Sequence, residues 1–359
     1  MLVVPALPDG GRPQAGRPGT HETRTFVNVR PPSPTTPGVP ALRAIRITEF
    51  GGPEVLQLVE DQPEPTATQG TTVLEVSSAG VNYADTHQAE NTYLAPAELP
   101  MIPGAEAVGT LPDGRRVVAL LAGGGYAERA LVAEPMAFEV PDGVDDGQAL
   151  ALVLQGTTAW HLLRTSAQLR EGESVVVHAA AGGVGTLAIQ LAKRWGAGKV
   201  VAVASTAEKR QLAIDLGADA VVDSAEDDLK GALREAADGK VDVVLEMVGG
   251  TTTDQSLAAL APFGRLVVFG MASREAPSMV DPRQLMARSR GLIGFWLAHC
   301  MVDPDRYLAA PMRELLDLTA AGDLEPVVGG TYGLSDAAQA HTDIRARRTV
   351  GKLVLDPSR

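Results

Sequence analysis

Ser174-Val175-Val176-Val177-His178 leads without interruption into Ala179-Ala180-Ala181-Gly182-Gly183-Val184-Gly185 and then into Thr186-Leu187-Ala188-Ile189-Gln190-Leu191-Ala192-Lys193. The first segment is a β-branched run with no polar alternation. The last carries an apolar stripe, Val184, Leu187, Ala188, Leu191 and Ala192, at helical spacing. The stretch predicts a buried strand, a glycine turn and a helix. Gly182, Gly183 and Gly185 leave no side chain between the main chain and a pyrophosphate. The N–H groups that open the helix would point at the anion with the helix dipole behind them. Ala180, Gly182, Gly183, Val184 and Gly185 are therefore candidate dinucleotide contacts. Ala180 stands where the first glycine of G-x-G-x-x-G would be, so the loop alone is a weak signal and its surroundings carry the reading.

Outward from this unit, valine-rich runs recur at 200–204, 220–222, 241–245, 266–269 and 292–297, most of them separated by helical stretches. Strands without alternation, spaced by helices, are what a parallel sheet covered on both faces requires. The chain N-terminal to it reads differently. Arg43-Ala44-Ile45-Arg46-Ile47, the turn Phe50-Gly51-Gly52-Pro53 and Val55-Leu56-Gln57-Leu58-Val59 form a hairpin-type opening, and short strands follow at 72–76, 116–121 and 126–132. Residues 145–166 read as helical, joining the two parts, and 349–355 as a strand that returns to the first. The expected organisation is a proline-rich disordered tail over 1–40, a β-rich domain over 41–150 completed by 323–359, and a doubly wound α/β domain over 151–322. The tail rests on nine prolines and little periodicity.

Composition bounds the function. The chain has 359 residues, 45% of them hydrophobic, with a formal charge of −13. That is enough apolar content for two cores, and the charge disfavours nucleic acid as a main ligand. No apolar run approaches the length of a membrane span. Cys300 is the one cysteine, which excludes an internal disulfide and a cysteine-cluster metal site and fits a reducing, cytoplasmic setting.

Several motifs occur in a telling order: Phe50-Gly51-Gly52-Pro53-Glu54-Val55-Leu56, Gly80-Val81-Asn82-Tyr83-Ala84-Asp85, Pro103-Gly104-Ala105-Glu106, Gln155-Gly156-Thr157-Thr158-Ala159-Trp160, the glycine turn, Leu216-Gly217-Ala218-Asp219 and Gly351-Lys352. From 41 to 357 the chain resembles a medium-chain dehydrogenase/reductase of the quinone oxidoreductase (zeta-crystallin-like) family. The resemblance implies a Rossmann domain plus a GroES-like catalytic domain, a homodimer, and hydride transfer from NADPH. Related zinc alcohol dehydrogenases bind a catalytic metal with cysteine, histidine and cysteine; the aligned positions here are Asn82, Ala105 and Leu154, none a normal zinc ligand. No metal is therefore expected. His299 beside Cys300 reads as packing.

The second parallel strand closes on Ala204-Ser205-Thr206 rather than on an acid, with Lys209 and Arg210 in the next turn. An acid would repel a 2′-phosphate; Ser205, Lys209 and Arg210 can attract one, which favours NADPH. A solvated helix face is the alternative for the two cations. A tyrosine that the family often places near the adenine is Ser224 here. Val248, Gly249 and Gly270 follow the fourth and fifth strands and are assigned to the nicotinamide side, with ordinary strand-exit turns as the alternative. Thr158 and Lys352 are phosphate or nicotinamide neighbours on the resemblance alone.

Without metal, the acceptor must take hydride readily, as a quinone or an α,β-unsaturated carbonyl does. A donor near the developing oxyanion then helps. Tyr93, in the segment where the family carries an active-site tyrosine, is the first candidate. His87 stands where the family often has another tyrosine and could donate a proton near neutral pH. Asn82 could bond the nicotinamide ribose or the substrate carbonyl. Asp85 reads as a loop anchor and His178 as packing. Between Gly109 and Arg116 the chain is about a dozen residues shorter than is usual in the family, which suggests a more open cleft. Two other functions remain compatible with the sequence: an enoyl-thioester reductase, and a non-catalytic NADPH-sensing or nucleic-acid-binding protein. The apolar segment 292–297 is the expected dimer edge.

Overall fold

The valine-rich runs form one sheet. In the computed structural model, which describes residues 41–359, β8 (Ser174–Val177), β9 (Lys199–Ala204), β10 (Ala220–Asp223), β11 (Val243–Glu246), β12 (Arg265–Val268) and β13 (Gly291–Gly294) pair in the order β10-β9-β8-β11-β12-β13, all parallel. Val175, Val176, Val177, Val243 and Val244 are all buried at 1% exposure or less. Burial on both faces is why these runs lack polar alternation. The chain leaves β8 toward β9 on one side and returns to β11 on the other. The order therefore reverses at β8, and the crevice at its carboxyl end is where an open α/β sheet binds ligands. The proline-rich tail expected over 1–40 lies outside the described residues.

The second lobe is antiparallel for the most part. β3 (Thr71–Val81), β4 (Glu106–Thr110), β5 (Arg116–Leu120), β7 (Ala137–Glu139), β14 (Val328–Gly333) and β15 (Lys352–Asp356) run in the order β14-β15-β3-β4-β5-β7, with β6 (Arg129–Ala133) also on β3. The opening hairpin is β1 (Ala41–Arg46) paired with β2 (Gln57–Pro63). The last strand returns as the sequence suggests: Leu353, Val354 and Leu355 pair with Val81, Gly80 and Ala79. Val354 and Val108 of this sheet share a core with Leu150, Leu162, Leu187 and Val177, so the lobes are joined by apolar packing. Among the described residues no helix is long and apolar enough to cross a membrane.

The helical joint at 146–166 is α-helical in two short pieces with π-helical turns at Ala151–Gly156 and Leu162–Ser166. Each π turn rotates the residues after it by an extra position. Gln155, within the first, lies with its amide against Gly183 of the glycine turn. The hairpin between β4 and β5 is tight, with Leu111 N donating to Arg115 O at 2.9 Å. The hollow beside it, about 410 Å³, is lined by Thr72, Leu111, Pro112, Asp113, Arg115, Glu134 and Ala137. None of these is a candidate site residue. The short hairpin therefore borders a hollow on the β-rich lobe that is separate from the candidate site residues.

Candidate active site

The glycine turn sits at the switch point. Gly182 is the N-cap of the helix Gly183–Arg194, and no side chain caps it. Thr186 N finds Gly182 O at 2.9 Å. The N–H groups of Gly183, Val184 and Gly185 lie in the first turn, where a helix supplies no acceptor. Ala180 is buried, its N–H held by Val203 O at 3.1 Å. A Cβ on residue 183 would stand 1.9 Å from Gln155 Oε1, so any side chain there must displace the Gln155 amide. The β-rich lobe closes against the turn: Gly351 N donates to Ala181 O at 2.8 Å, with Gly351 at φ +51° and its missing Cβ 2.1 Å from Val327 O. Three open donors and bare main chain fit a pyrophosphate.

Next to the turn, a cleft of about 740 Å³ is lined by Ser205, Thr206, Glu208, Lys209, Ala346, Arg347, Arg348 and Val350. Lys209 Nζ donates to Arg347 O at 2.6 Å across it, and Lys209 is held below the usual lysine range by partial burial and by Arg347. Arg210 is held by the chain itself. Its guanidinium pairs with Asp223 at 2.8 Å and donates to Ala204 O at 3.0 Å, so its charge ties β9 to β10. Arg347, which sequence reasoning missed, lines the cleft as a second positive group, with Arg348 beside it paired to Asp343. The basic run Arg345-Ala346-Arg347-Arg348 was their signal.

Val248 and Gly249 follow β11, and the loop after β12 covers them. Ser273 N donates to Val248 O at 2.7 Å and Ala272 N to Met247 O at 2.8 Å. A Cβ on Gly249 would meet Met271 Cγ at 2.7 Å and Glu275 O at 2.8 Å. The chain's own loop thus demands a small residue at 249. Gly270 is half-buried against Met247. Beneath them Glu246 is buried and its carboxyl raised by that burial; Val248 N, Gly249 N and Thr253 Oγ1 all donate to it.

Thr158 and Lys352 also differ from expectation. The Thr158 hydroxyl donates to Leu154 O at 2.7 Å, so its one proton is spent within the helix. Lys352 is fully buried and paired with Glu106, out of reach of a phosphate. Asn82 caps the short helix Tyr83–Ala89 and is 3% exposed. Asp85 reaches back to Asn82 N at 2.8 Å and accepts from Tyr126 Oη at 2.9 Å, the anchor the sequence implied. Burial pushes its carboxyl up to about 6. His178 is buried, bonded to Ser256 at 2.9 Å and pushed down to about 4 by burial; it is packing.

Tyr93 faces the other lobe. Trp296 Nε1 donates to Tyr93 Oη at 3.1 Å, with the rings edge to face at 6.1 Å. An indole N–H only donates, so the phenol accepts and its own hydrogen meets no acceptor among the described residues. Burial raises the Tyr93 pKa above the ordinary tyrosine value, which keeps it protonated. Trp296 lay within a segment read only as a dimer edge. Partial burial, Arg274 and Arg345 lower the pKa of His87, so it is neutral at neutral pH. Its Nδ1 is 3.0 Å from Thr92 Oγ1. Across the same gap Tyr83 Oη donates to Ala272 O at 2.9 Å and Glu90 pairs with Arg274, while Arg345 of its own lobe also pairs with Glu90.

A family profile described as zinc-binding dehydrogenase matches residues 183–319. The donor set does not fit zinc: the aligned positions carry an amide, a methyl and an isobutyl group, and no group of three or more His, Cys, Asp or Glu among the described residues could hold a metal. The quinone oxidoreductase of Lama guanicoe is 33% identical over 327 residues, covering 88% of this chain and 97% of its own. A mycobacterial protein solved in complex with NADPH superposes with a TM-score of 0.82 at 39% identity, over 88% of this chain and 100% of its own. Escherichia coli quinone oxidoreductase complexed with NADPH gives 0.81 at 33%, over the same shares. A switch-point glycine turn, a cleft closed by a second, β-rich lobe, and relatives aligned over nearly their whole length lead to one conclusion: the chain belongs to the quinone oxidoreductase family of the medium-chain dehydrogenase/reductase superfamily.

Proposed function

We propose that this protein is a zinc-independent reductase that transfers hydride from NADPH to a quinone or an α,β-unsaturated carbonyl. The observation that carries the reading is the pairing of the open helix start at Gly183 with a cleft that offers Ser205, Lys209, Arg347 and Arg348 and no acid at the end of β9. The N–H groups of Gly183, Val184 and Gly185 hold the pyrophosphate. Ser205, Lys209 and Arg347 hold the 2′-phosphate, with Arg348 pairing mainly with Asp343. Both domains, 41–150 with 323–359 and 151–322, therefore contribute to the cofactor site. NADPH when bound supplies a hydride at C4 of its nicotinamide.

Everything else falls to this chain's side chains. Tyr93 offers its free phenol hydrogen to the oxygen on which negative charge develops, and stays protonated for that task. Trp296 fixes the direction of that hydrogen. Asn82 retains one amide hydrogen for a bound oxygen. His87, neutral, can hold or relay a proton at Nε2. A homodimer joined along the free edge of β13, where Leu292 is 37% exposed, and a cytoplasmic setting complete the proposal; sedimentation at micromolar concentration checks the former, with a monomer refuting it.

The test is oxidation of NADPH, followed by its absorbance, against benzoquinones, naphthoquinones, enones and an enoyl thioester, with NADH in parallel and a chelator present. Chelator-insensitive turnover of quinones or enones with NADPH well ahead of NADH is the expected result. Turnover confined to the thioester, or NADPH binding with no turnover, would overturn it.

A further inference from the structure

Lys352 opens β15 and Glu106 opens β4, and both are fully buried. The ammonium donates to Glu106 Oε1, to Asn82 Oδ1 at 3.1 Å and to Val81 O at 3.5 Å, so each of its three hydrogens has an acceptor. Residue 80 makes room: a Cβ there would stand 2.2 Å from Glu106 Oε1 and 2.6 Å from Lys352 Cε. An apolar pair of similar volume is often as stable as a buried ion pair. Stability is thus a weak reason for these charges, and their shared neighbour supplies a stronger one.

That neighbour is Asn82. Its Nδ2 donates to Glu106 Oε1 at 2.7 Å, while Oδ1 accepts from Lys352 and from Gln155 Nε2 at 3.3 Å. The two ends of a carboxamide are alike in shape and opposite in polarity. Two donors on one end and a carboxylate on the other determine which end is which. One Nδ2 hydrogen then has no partner among the described residues.

We propose that Lys352 is a positioning residue for the reduction: its ammonium, balanced by Glu106, locks the Asn82 carboxamide so that it presents an N–H donor, never its oxygen, to an acceptor oxygen in the cleft. The inference rests on the reading that Asn82 touches the bound molecules. Acceptor oxygens of this kind come from the substrate carbonyl or from the cofactor ribose. The former is read in kcat, the latter in the Kd for NADPH measured by fluorescence.

The experiment is a mutant cycle on the full chain with Asn82→Ala, Lys352→Met/Glu106→Gln, and all three together, with near-UV circular dichroism and Tm confirming the fold. Glu106→Gln keeps an acceptor for Asn82 Nδ2 and avoids leaving a lone buried carboxylate. The first two variants are each expected to lose roughly tenfold or more in kcat or in NADPH affinity, and the triple variant no more than Asn82→Ala alone. Unchanged kcat and Kd in a folded Lys352→Met/Glu106→Gln, or losses that multiply in the triple, overturn the role of Lys352. An Asn82→Ala protein with no defect overturns the underlying contact as well. Gln155→Met removes the second donor on Asn82 Oδ1 and leaves the charges intact, so it repeats the cycle even where the charge-pair variant does not fold. Its loss should likewise vanish in the Asn82→Ala background, and a loss that multiplies there refutes the lock.

Discussion

Lys209→Ala should change cofactor preference more than it changes catalysis. Lys209 lines the cleft with Ser205 and Arg347, and its Nζ already donates to Arg347 O at 2.6 Å. A charge-assisted hydrogen bond to phosphate contributes about 1.5–3 kcal/mol. Lys209 is only partly buried, so solvent screening puts the expected loss near the lower figure, about 1.5 kcal/mol, or roughly tenfold in KM for NADPH. NADH has no 2′-phosphate, and its KM should move by less than about twofold. Lys209→Ala also frees the 346–348 loop, so Arg347→Ala, which keeps that carbonyl, is the control; it should give a comparable, selective loss. Ser205→Asp would place an acid at the end of β9 and should reverse the preference altogether. Steady-state kinetics with each cofactor at fixed quinone, repeated at about 1 M salt where screening shortens to roughly 3 Å, reads all of this. Equal losses with NADPH and NADH, or a salt-independent NADPH preference in both single variants, would refute the assignment of this cleft to the 2′-phosphate.

Gly183→Ala drives a methyl group into the Gln155 amide at 1.9 Å and should raise the Kd for both cofactors by at least tenfold; unaltered binding by fluorescence titration would show that the turn is not the pyrophosphate site. Tyr93→Phe should lower kcat roughly tenfold to a thousandfold with little change in the KM for NADPH, and a loss confined to cofactor KM would remove Tyr93 from the reaction. The same variant should abolish any loss of kcat that wild type shows above pH 10, since the raised Tyr93 pKa places phenol ionisation there. Stability should fall in mild acid. His178 and His341 are pushed down to about 4, chiefly by burial, so between pH 6.5 and 4 the unfolded chain binds protons that the folded chain does not, at about 3 kcal/mol per imidazole by pH 4. Asp85, raised to about 6, acts in the opposite sense over pH 6 to 3.8 and offsets about one of them. Urea unfolding at pH 7 and 4.5 should show a net loss that His178→Gln diminishes; a flat profile would refute it.

Local patterning alone made the parallel sheet and the glycine turn legible. Val175, Val176 and Val177 are buried on both faces, and such a strand has no polar alternation to hide it. Ser205 at the end of β9 likewise announces its role by not being acidic, because the rule concerns one position next to one strand. Residues 349–355 could be read as a strand returning to the first domain for the same reason, although only the structure shows that β3 is its partner. What the sequence could not show is how each polar group is spent. Arg210 and Lys209 are adjacent in the chain, and only the approach of Asp223 commits the first while the second stays in the cleft. His87 is an ordinary imidazole until the fold partly buries it and brings up Arg274 and Arg345 from two distant segments. Trp296 was legible as apolar, yet its contact with Tyr93 spans 203 positions. Lys352 follows a glycine like many phosphate-binding lysines, and only the burial of Glu106 beside it turns the side chain inward. Strand identity and turn chemistry follow from short-range sterics and hydrophobic period. Charge state, donor allegiance and the walls of the cleft follow from which groups the tertiary fold brings within hydrogen-bond distance.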